Sequence, residues 1–144
     1  MIVLDAYAVL ALLTGEPAAA PVRKLLVGDR DASLTVLGVA EVLDHLVRLV
    51  GASDEDAALD VAQLGLAEPA PLDAATSMKA GLLRARQYHR RDRAVSLADC
   101  IAAETARAAA APVASSDPHL LGMCRDELID VVPLPNRAGV LWTR

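Results

Sequence analysis

The sequence predicts an α/β sandwich built on a parallel sheet, and two observations carry that prediction. Short apolar runs, beginning with Ile2-Val3-Leu4, alternate with longer segments of helical periodicity. Strand–helix alternation is the pattern of parallel pairing through right-handed crossovers. The first run is also continuously apolar, as suits a strand covered on both faces. The 144 residues suit a single domain spanning positions 1–144, with no repeat, low-complexity tract or linker to divide it.

The elements follow in order. Ile2-Val3-Leu4 ends at Asp5 and forms the first strand. An alanine- and leucine-rich segment runs to Thr14 and is broken by Gly15-Glu16-Pro17. Pro17, with its preset φ, opens a helix to about position 27, stopped by Gly28. Residues 33–36 are a second, weaker strand candidate. Val39, Leu43, Leu46, Val47 and Val50 recur at helical spacing, and Gly51 closes that helix. Ser53-Asp54-Glu55-Asp56 has capping-box spacing, with Asp in the usual Glu place, and starts a helix ending near position 66. Pro69 and Pro71 restrict residues 68–72 to a connection or an edge strand. Residues 73–91 read as a long helix, and Ser96-Leu97-Ala98-Asp99 begins another that runs through alanines to position 111. A third strand covers 112–115, Asp117-Pro118 opens a short helix, and 129–132 make a fourth strand. The tail from Pro133 is extended.

Composition narrows the function. Hydrophobic residues make up 54% of the chain, enough for a core and too many for intrinsic disorder. Trp142, Tyr7 and Tyr88 are the whole aromatic complement, so binding through several aromatic platforms is excluded. The longest uncharged run, 6–15, is too short to span a bilayer, and no basic region precedes the first apolar stretch. A cytoplasmic protein without a membrane partner is expected. Cys100 and Cys124 lack metal-type spacing and are too few for a disulfide scaffold. The net charge of -5 argues against retention on nucleic acid by bulk charge, yet Arg84, Arg86, Arg90, Arg91 and Arg93 form a local basic cluster.

Ligands of open parallel sheets gather where strands end at their carboxyl side. Asp5 stands at such an end, and Asp117 follows Val113-Ala114-Ser115 in the same way. Asp99 lies in the first turn of a helix, where N–H groups and the dipole favour an anion. Each of the three also suits plain helix capping. Glu41 lies opposite the Val39/Leu43/Leu46/Val50 stripe, near His45 and Arg48, and pattern alone favours a solvated face with a Glu41–His45 contact. His45, His89 and His119 share no metal-binding spacing, although two of them forming an acid–base pair stays open. No GxGxxG, Walker A or GxSxG motif is present.

Together, Ile2-Val3-Leu4-Asp5-Ala6, Val39-Ala40-Glu41-Val42, Ser96-Leu97-Ala98-Asp99 and Ser115-Ser116-Asp117 resemble the PIN-domain ribonucleases, most closely the VapC-type toxins of bacterial toxin–antitoxin pairs. The resemblance implies a three-layer α/β/α sandwich with a central parallel sheet. It implies an acidic quartet at Asp5, Glu41, Asp99 and Asp117, with the family's small hydroxylated residue at Ser115. All-oxygen donors suit a hard ion, Mg²⁺ or Mn²⁺. On this resemblance Asp5 and Asp117 hold the metal, Asp99 completes the set or holds a second ion, and Glu41 orients water. Hydrolysis then leaves 5′-phosphate and 3′-hydroxyl ends on an RNA substrate. A cognate antitoxin and a homodimer are implied as partners, and Arg90, Arg91 and Arg93 are candidates for RNA contact. The chain departs from the family at Ala6-Tyr7, where small polar residues are usual, and at Gly38, where Asn is frequent. A non-catalytic PIN-like domain that binds RNA or protein is therefore the first rival reading. A phosphoacceptor receiver is the second, but it needs a late strand-end lysine, and the only lysines are Lys24 and Lys79.

Overall fold

The computed structural model describes residues 1–143. Four short strands, β1 (Ile2–Leu4), β2 (Ala32–Ser33), β3 (Val113–Ser115) and β4 (Val131–Pro133), form one sheet in the order β2-β1-β3-β4, with every pair parallel. Val3 stands opposite both Ser33 and Val113, which fixes the register of β1 against both its neighbours. Pro133 is tolerated because β4 is an edge.

The alternation of side chains along β1 divides the core in two. Ile2 and Leu4 pack with residues of α1 (Ala6–Thr14), α2 (Ala19–Leu26), α3 (Val36–His45) and α4 (Asp54–Ala62). Val3 and Val113 face the other way, against α5 (Ala74–Gln87), α6 (Leu97–Ala108) and α7 (Pro118–Asp126). The result is three layers, helices over both faces of a parallel sheet, as the alternation of runs predicts. Because β2 and β3 flank β1 on opposite sides, the connections out of the sheet part at the carboxyl ends of β1 and β3. That switch point is where a parallel sheet opens a crevice.

Several boundaries differ from the sequence reading, each for a local reason. The second strand is Ala32–Ser33 and not 33–36, because Thr35 Oγ1 accepts the Gly38 N–H at 3.0 Å and caps α3. The second helix begins at Ala19, two residues past Pro17, and accommodates Pro21 in its first turn, where no N–H is needed. α3 passes into a π-helical turn, Leu46–Val50, before Gly51 closes it at φ 85°. α4 stops at Ala62 and α6 at Ala108, both short of expectation. The long helix stops at Gln87: His89 and Arg93 exchange backbone hydrogen bonds at 3.0 and 2.9 Å and fold 89–93 into a tight turn. The fourth strand lies at Val131–Pro133, after the Ile129 N–H has closed the end of α7 on the Cys124 carbonyl.

Candidate active site

The carboxyl ends of β1 and β3 are tied together by one hydroxyl. Ser115 Oγ donates to Asp5 Oδ2 at 2.7 Å and accepts the Asp117 N–H at 3.0 Å. Asp5 Oδ1 accepts the Tyr7 N–H at 3.4 Å, so Asp5 caps α1 while its carboxyl stays buried between the strands. Asp117 caps α7 by accepting the His119 N–H at 2.8 Å. Asp99 enters from α6 through a complete capping box, in which its Oδ2 accepts the Ser96 N–H at 2.8 Å and its own N–H donates to Ser96 Oγ at 3.0 Å. Glu41 comes from the middle of α3. It lines one small pocket with Asp5, Thr35, Gly38 and Asp99.

Asp5, Glu41 and Asp99 thus share one pocket, Asp117 adjoins it through Ser115, and the electrostatics of the first three record the crowding. Burial raises the Asp5 carboxyl from 3.8 to about 7; the charges of Asp99 and Asp117 push the same way, against the Ser115 hydrogen bond. Asp99 is raised by burial first, with Asp117 adding to it and His119 opposing. Glu41 is raised by burial and then by Asp99. Among the described residues none of the four pairs with an Arg or Lys.

A divalent cation fits this donor set in chemistry: oxygen atoms alone, in mutual repulsion, with no Arg or Lys paired to them among the described residues. Among the described residues, however, no group of three His, Cys, Asp or Glu side chains is arranged to hold an ion directly. The fit is thus to a hard ion bound by one or two carboxylates that keeps several waters.

Pattern alone favoured a solvated Glu41 in contact with His45, and this is corrected. Glu41 is half-buried toward Asp99, the His45 ring meets Tyr7 edge-on at 6.1 Å and 84°, and Arg48 pairs with Asp44 at 2.8 Å. The arginine cluster divides. Arg90 and Arg91 are exposed on the 89–93 turn. Arg93, expected beside them as an RNA contact, is instead committed to the fold, paired with Asp126 at 2.8 Å and bonded to Gln87 at 3.4 Å. Arg84 donates to the Val95 carbonyl and lies over the Tyr88 ring, and Arg86 is paired with Glu127. The turn adjoins the site through His119, whose Nδ1 is 3.2 Å from the Asp92 carbonyl oxygen.

Thr35 lines the same pocket, and the sequence reading does not single it out. Its signal was present in the three-residue spacing from Thr35 to Gly38, the spacing of an N-cap. Cys100 and Cys124 are buried and unpaired, and burial pushes both thiols up to about 12. Among the described residues no helix is long and apolar enough to cross a membrane.

Residues 2–125 match the PIN domain family model, and the chain belongs to that family. None of the curated proteins matches it in sequence. Among solved structures it is similar to FitAcB from Neisseria gonorrhoeae, at TM-score 0.68 and 18% identity over 97% of this chain and 100% of that one. It is also similar to VapBC2 from Rickettsia felis bound to a DNA fragment from their promoter, at TM-score 0.67 and 16% identity over 92% and 98% of the two chains. FitAB bound to an IR36 DNA fragment gives TM-score 0.68 and 19% identity over 92% and 94%. At such identities the likeness establishes the fold.

Proposed function

We propose that the protein is a Mg²⁺- or Mn²⁺-dependent endoribonuclease and the toxin member of a toxin–antitoxin pair, acting in the cytoplasm. The observation that carries this reading is the convergence of Asp5, Glu41, Asp99 and Asp117 at the switch point of the sheet, with none of them, among the described residues, paired with an Arg or Lys. PIN domains are generally nucleases, which agrees with it.

Asp5, Asp99 and Asp117 are the residues that would hold the cation, one or two of them directly and the rest through waters it keeps. When bound, it supplies charge neutralisation and Lewis-acid activation of the phosphodiester and of water. Ser115 keeps Asp5 Oδ2 oriented and fixes the backbone that presents Asp117. The capping box holds Asp99 by its second oxygen and leaves the first free. Glu41 orients the attacking water. Water adds to phosphorus and the 3′-oxygen leaves with a proton, giving 5′-phosphate and 3′-hydroxyl ends. The 2′-hydroxyl takes no part.

The structural neighbours carry two-component names and are solved on DNA in two cases. An antitoxin that blocks this chain meets an acidic cleft, so a basic side chain at the quartet is the complementary group. A homodimer belongs to the same reading. The test is RNA cleavage by purified protein, with sequencing of new 5′ ends. Cleavage with Mg²⁺ that stops in EDTA and in Asp5→Asn is the expected result. Cleavage that persists in EDTA and leaves 2′,3′-cyclic phosphate would overturn it in favour of His45, His89 or His119.

A further inference from the structure

Beside the acidic pocket runs a larger groove of about 560 Å³, lined by none of the four carboxylates. One wall is α1 and the turn after it, with Tyr7, Ala11 and Glu16; the other is Ser116 with Asn136 and Arg137. The groove starts at the acids. Tyr7 is two residues beyond Asp5 and gives its N–H to that carboxyl, and Ser116 lies between Ser115 and Asp117.

Its two walls are built differently. Tyr7 is 56% exposed, so its ring is not a core residue, yet the edge-on His45 ring at 6.1 Å orients it. Across from it, Arg137 projects from a fixed turn: Asn136 Oδ1 accepts the N–H groups of Ala138 and Val140 at 2.9 and 3.0 Å, and Gly139 takes φ 76°. The Arg137 guanidinium is 77% exposed and pairs with Glu16 at 3.1 Å. A pair so exposed is weak, and Arg137 is readily redirected to a competing anion.

An exposed aromatic face and an available guanidinium, on opposite walls of a groove that leads to a cation-binding cluster, match a planar ring joined to a phosphate. The volume lies within the roughly 300–1,000 Å³ of small-ligand sites. The other apolar residues of the lining are Ala11, Pro135 and Ala138, too small to make a deep pocket for an anchoring protein side chain. We propose that this groove is a nucleotide subsite, which seats the base next to the scissile phosphodiester on the Tyr7 ring and a flanking phosphate on Arg137. The proposal rests on the nuclease reading and adds where the strand is gripped beside the acids: a base stacked on Tyr7 must be out of its duplex, and this contact gives little base preference.

The experiment measures binding of a fluorescein-labelled single-stranded hexaribonucleotide, and of the same strand in duplex, to the full chain carrying Asp5→Asn to prevent cleavage, in Mg²⁺. Adding Tyr7→Ala weakens single-strand binding by about 10-fold or more, the scale of one lost base stack, while Tyr7→Phe stays near the parent. Adding Arg137→Ala weakens binding and lowers the salt slope by about 0.7, one single-strand phosphate contact. The duplex binds less well to the parent and responds little to Tyr7→Ala. Thermal melting, which the exposed Tyr7 ring should scarcely affect, confirms folding. Parent-like affinity in Tyr7→Ala overturns the proposal, including the case where that variant instead loses a protein partner, which would assign the groove to protein. RNA cleavage by the unmodified chain, read in parallel, separates this failure from failure of the nuclease reading.

Discussion

Two groups of acids in this chain have opposite electrostatic fates. At the strand ends, burial and mutual repulsion raise Asp5 to about 7 and hold Asp99 and Glu41 above the usual carboxyl range. Where α5, α6 and the end of α7 meet, Glu127 takes Arg86 at 2.8 Å, Gln87 at 2.7 Å and Arg107 at 2.8 Å, and its carboxyl falls to about 2. Arg107 also reaches the buried Glu104 at 3.2 Å. The side chains are alike, and the difference is the company of arginines. The Glu127 group holds helices together. The Asp5 group is destabilising by itself, which a fold tolerates where an outside cation completes the charge.

The largest effect expected from breaking this contrast is on activity. Asp5→Asn, Asp99→Asn and Asp117→Asn each lower RNA cleavage by about 100-fold or more, the scale of losing one preorganised electrostatic group. None should lower the melting temperature much, because Asn accepts the same capping hydrogen bonds. Wild-type cleavage rates in all three would reduce these acids to helix caps.

Stability against pH gives the next effect. In the metal-free protein Asp5 is about 7 when folded against 3.8 as a free carboxyl, so the folded state binds the extra proton between those values. Its contribution to stability is complete below about pH 4 and is lost as pH rises through 7. Melting in EDTA from pH 5 to 8.5 should show that decline, and Asp5→Asn should remove the share that belongs to Asp5, gaining roughly 1–3 kcal/mol at pH 8 at about 1.36 kcal/mol per pKa unit. Mg²⁺ added at pH 8 should stabilise wild type and leave Asp5→Asn unmoved. A wild-type curve flat across this range would remove the contrast on which the comparison stands.

Glu127 answers with the opposite sign. Its carboxyl is lowered from 4.5 to about 2, so its contribution is present above 4.5 and disappears as pH falls through 2. Arg86 and Arg107 are half exposed, and Glu127→Ala should therefore cost only about 1–2 kcal/mol in urea unfolding. Cleavage should be unchanged. A variant that loses activity while staying folded would link this network to the site.

The two groups were not equally legible in the sequence. Asp99 could be placed because the Ser96 to Asp99 spacing is the same pair of capping bonds the structure contains. Asp5 and Asp117 follow from apolar runs that stop at an acid. Glu41 could not be read from its own helix, since a helical wheel records faces and not what α6 brings opposite them. The resemblance supplied it. The β-like run 33–36 hid Thr35, whose capping bond to Gly38 outweighs the strand preference of a β-branched residue. The arginine-rich segment after position 87 reads as helix by propensity, but His89 Nδ1 accepts the Arg91 and Asp92 N–H groups at 3.3 and 3.1 Å and turns the chain instead. The partners of Glu127 lie 20 to 41 positions away, beyond any local pattern.

The smallest effect tests the same contrast within one turn. Arg90 and Arg91 are exposed, whereas Arg93 is tied to Asp126 and only 16% exposed. If charge without a partner marks function at the acids, the same rule assigns Arg90 and Arg91 to substrate and Arg93 to the fold. An acidic protein needs local positive surface to hold RNA beside four carboxylates, and guanidinium groups suit phosphate oxygens. Arg90→Glu/Arg91→Glu should weaken single-stranded RNA binding alike for all sequences and lower the log–log salt slope by about 0.7 per lost contact. Its melting point should stay put, since exposed charges contribute under about 1 kcal/mol each. Arg93→Ala should do the reverse, lowering the melting point through the lost Asp126 pair while leaving the salt slope alone. A salt slope that moves with Arg93 and not with Arg90 and Arg91 would reverse the assignment.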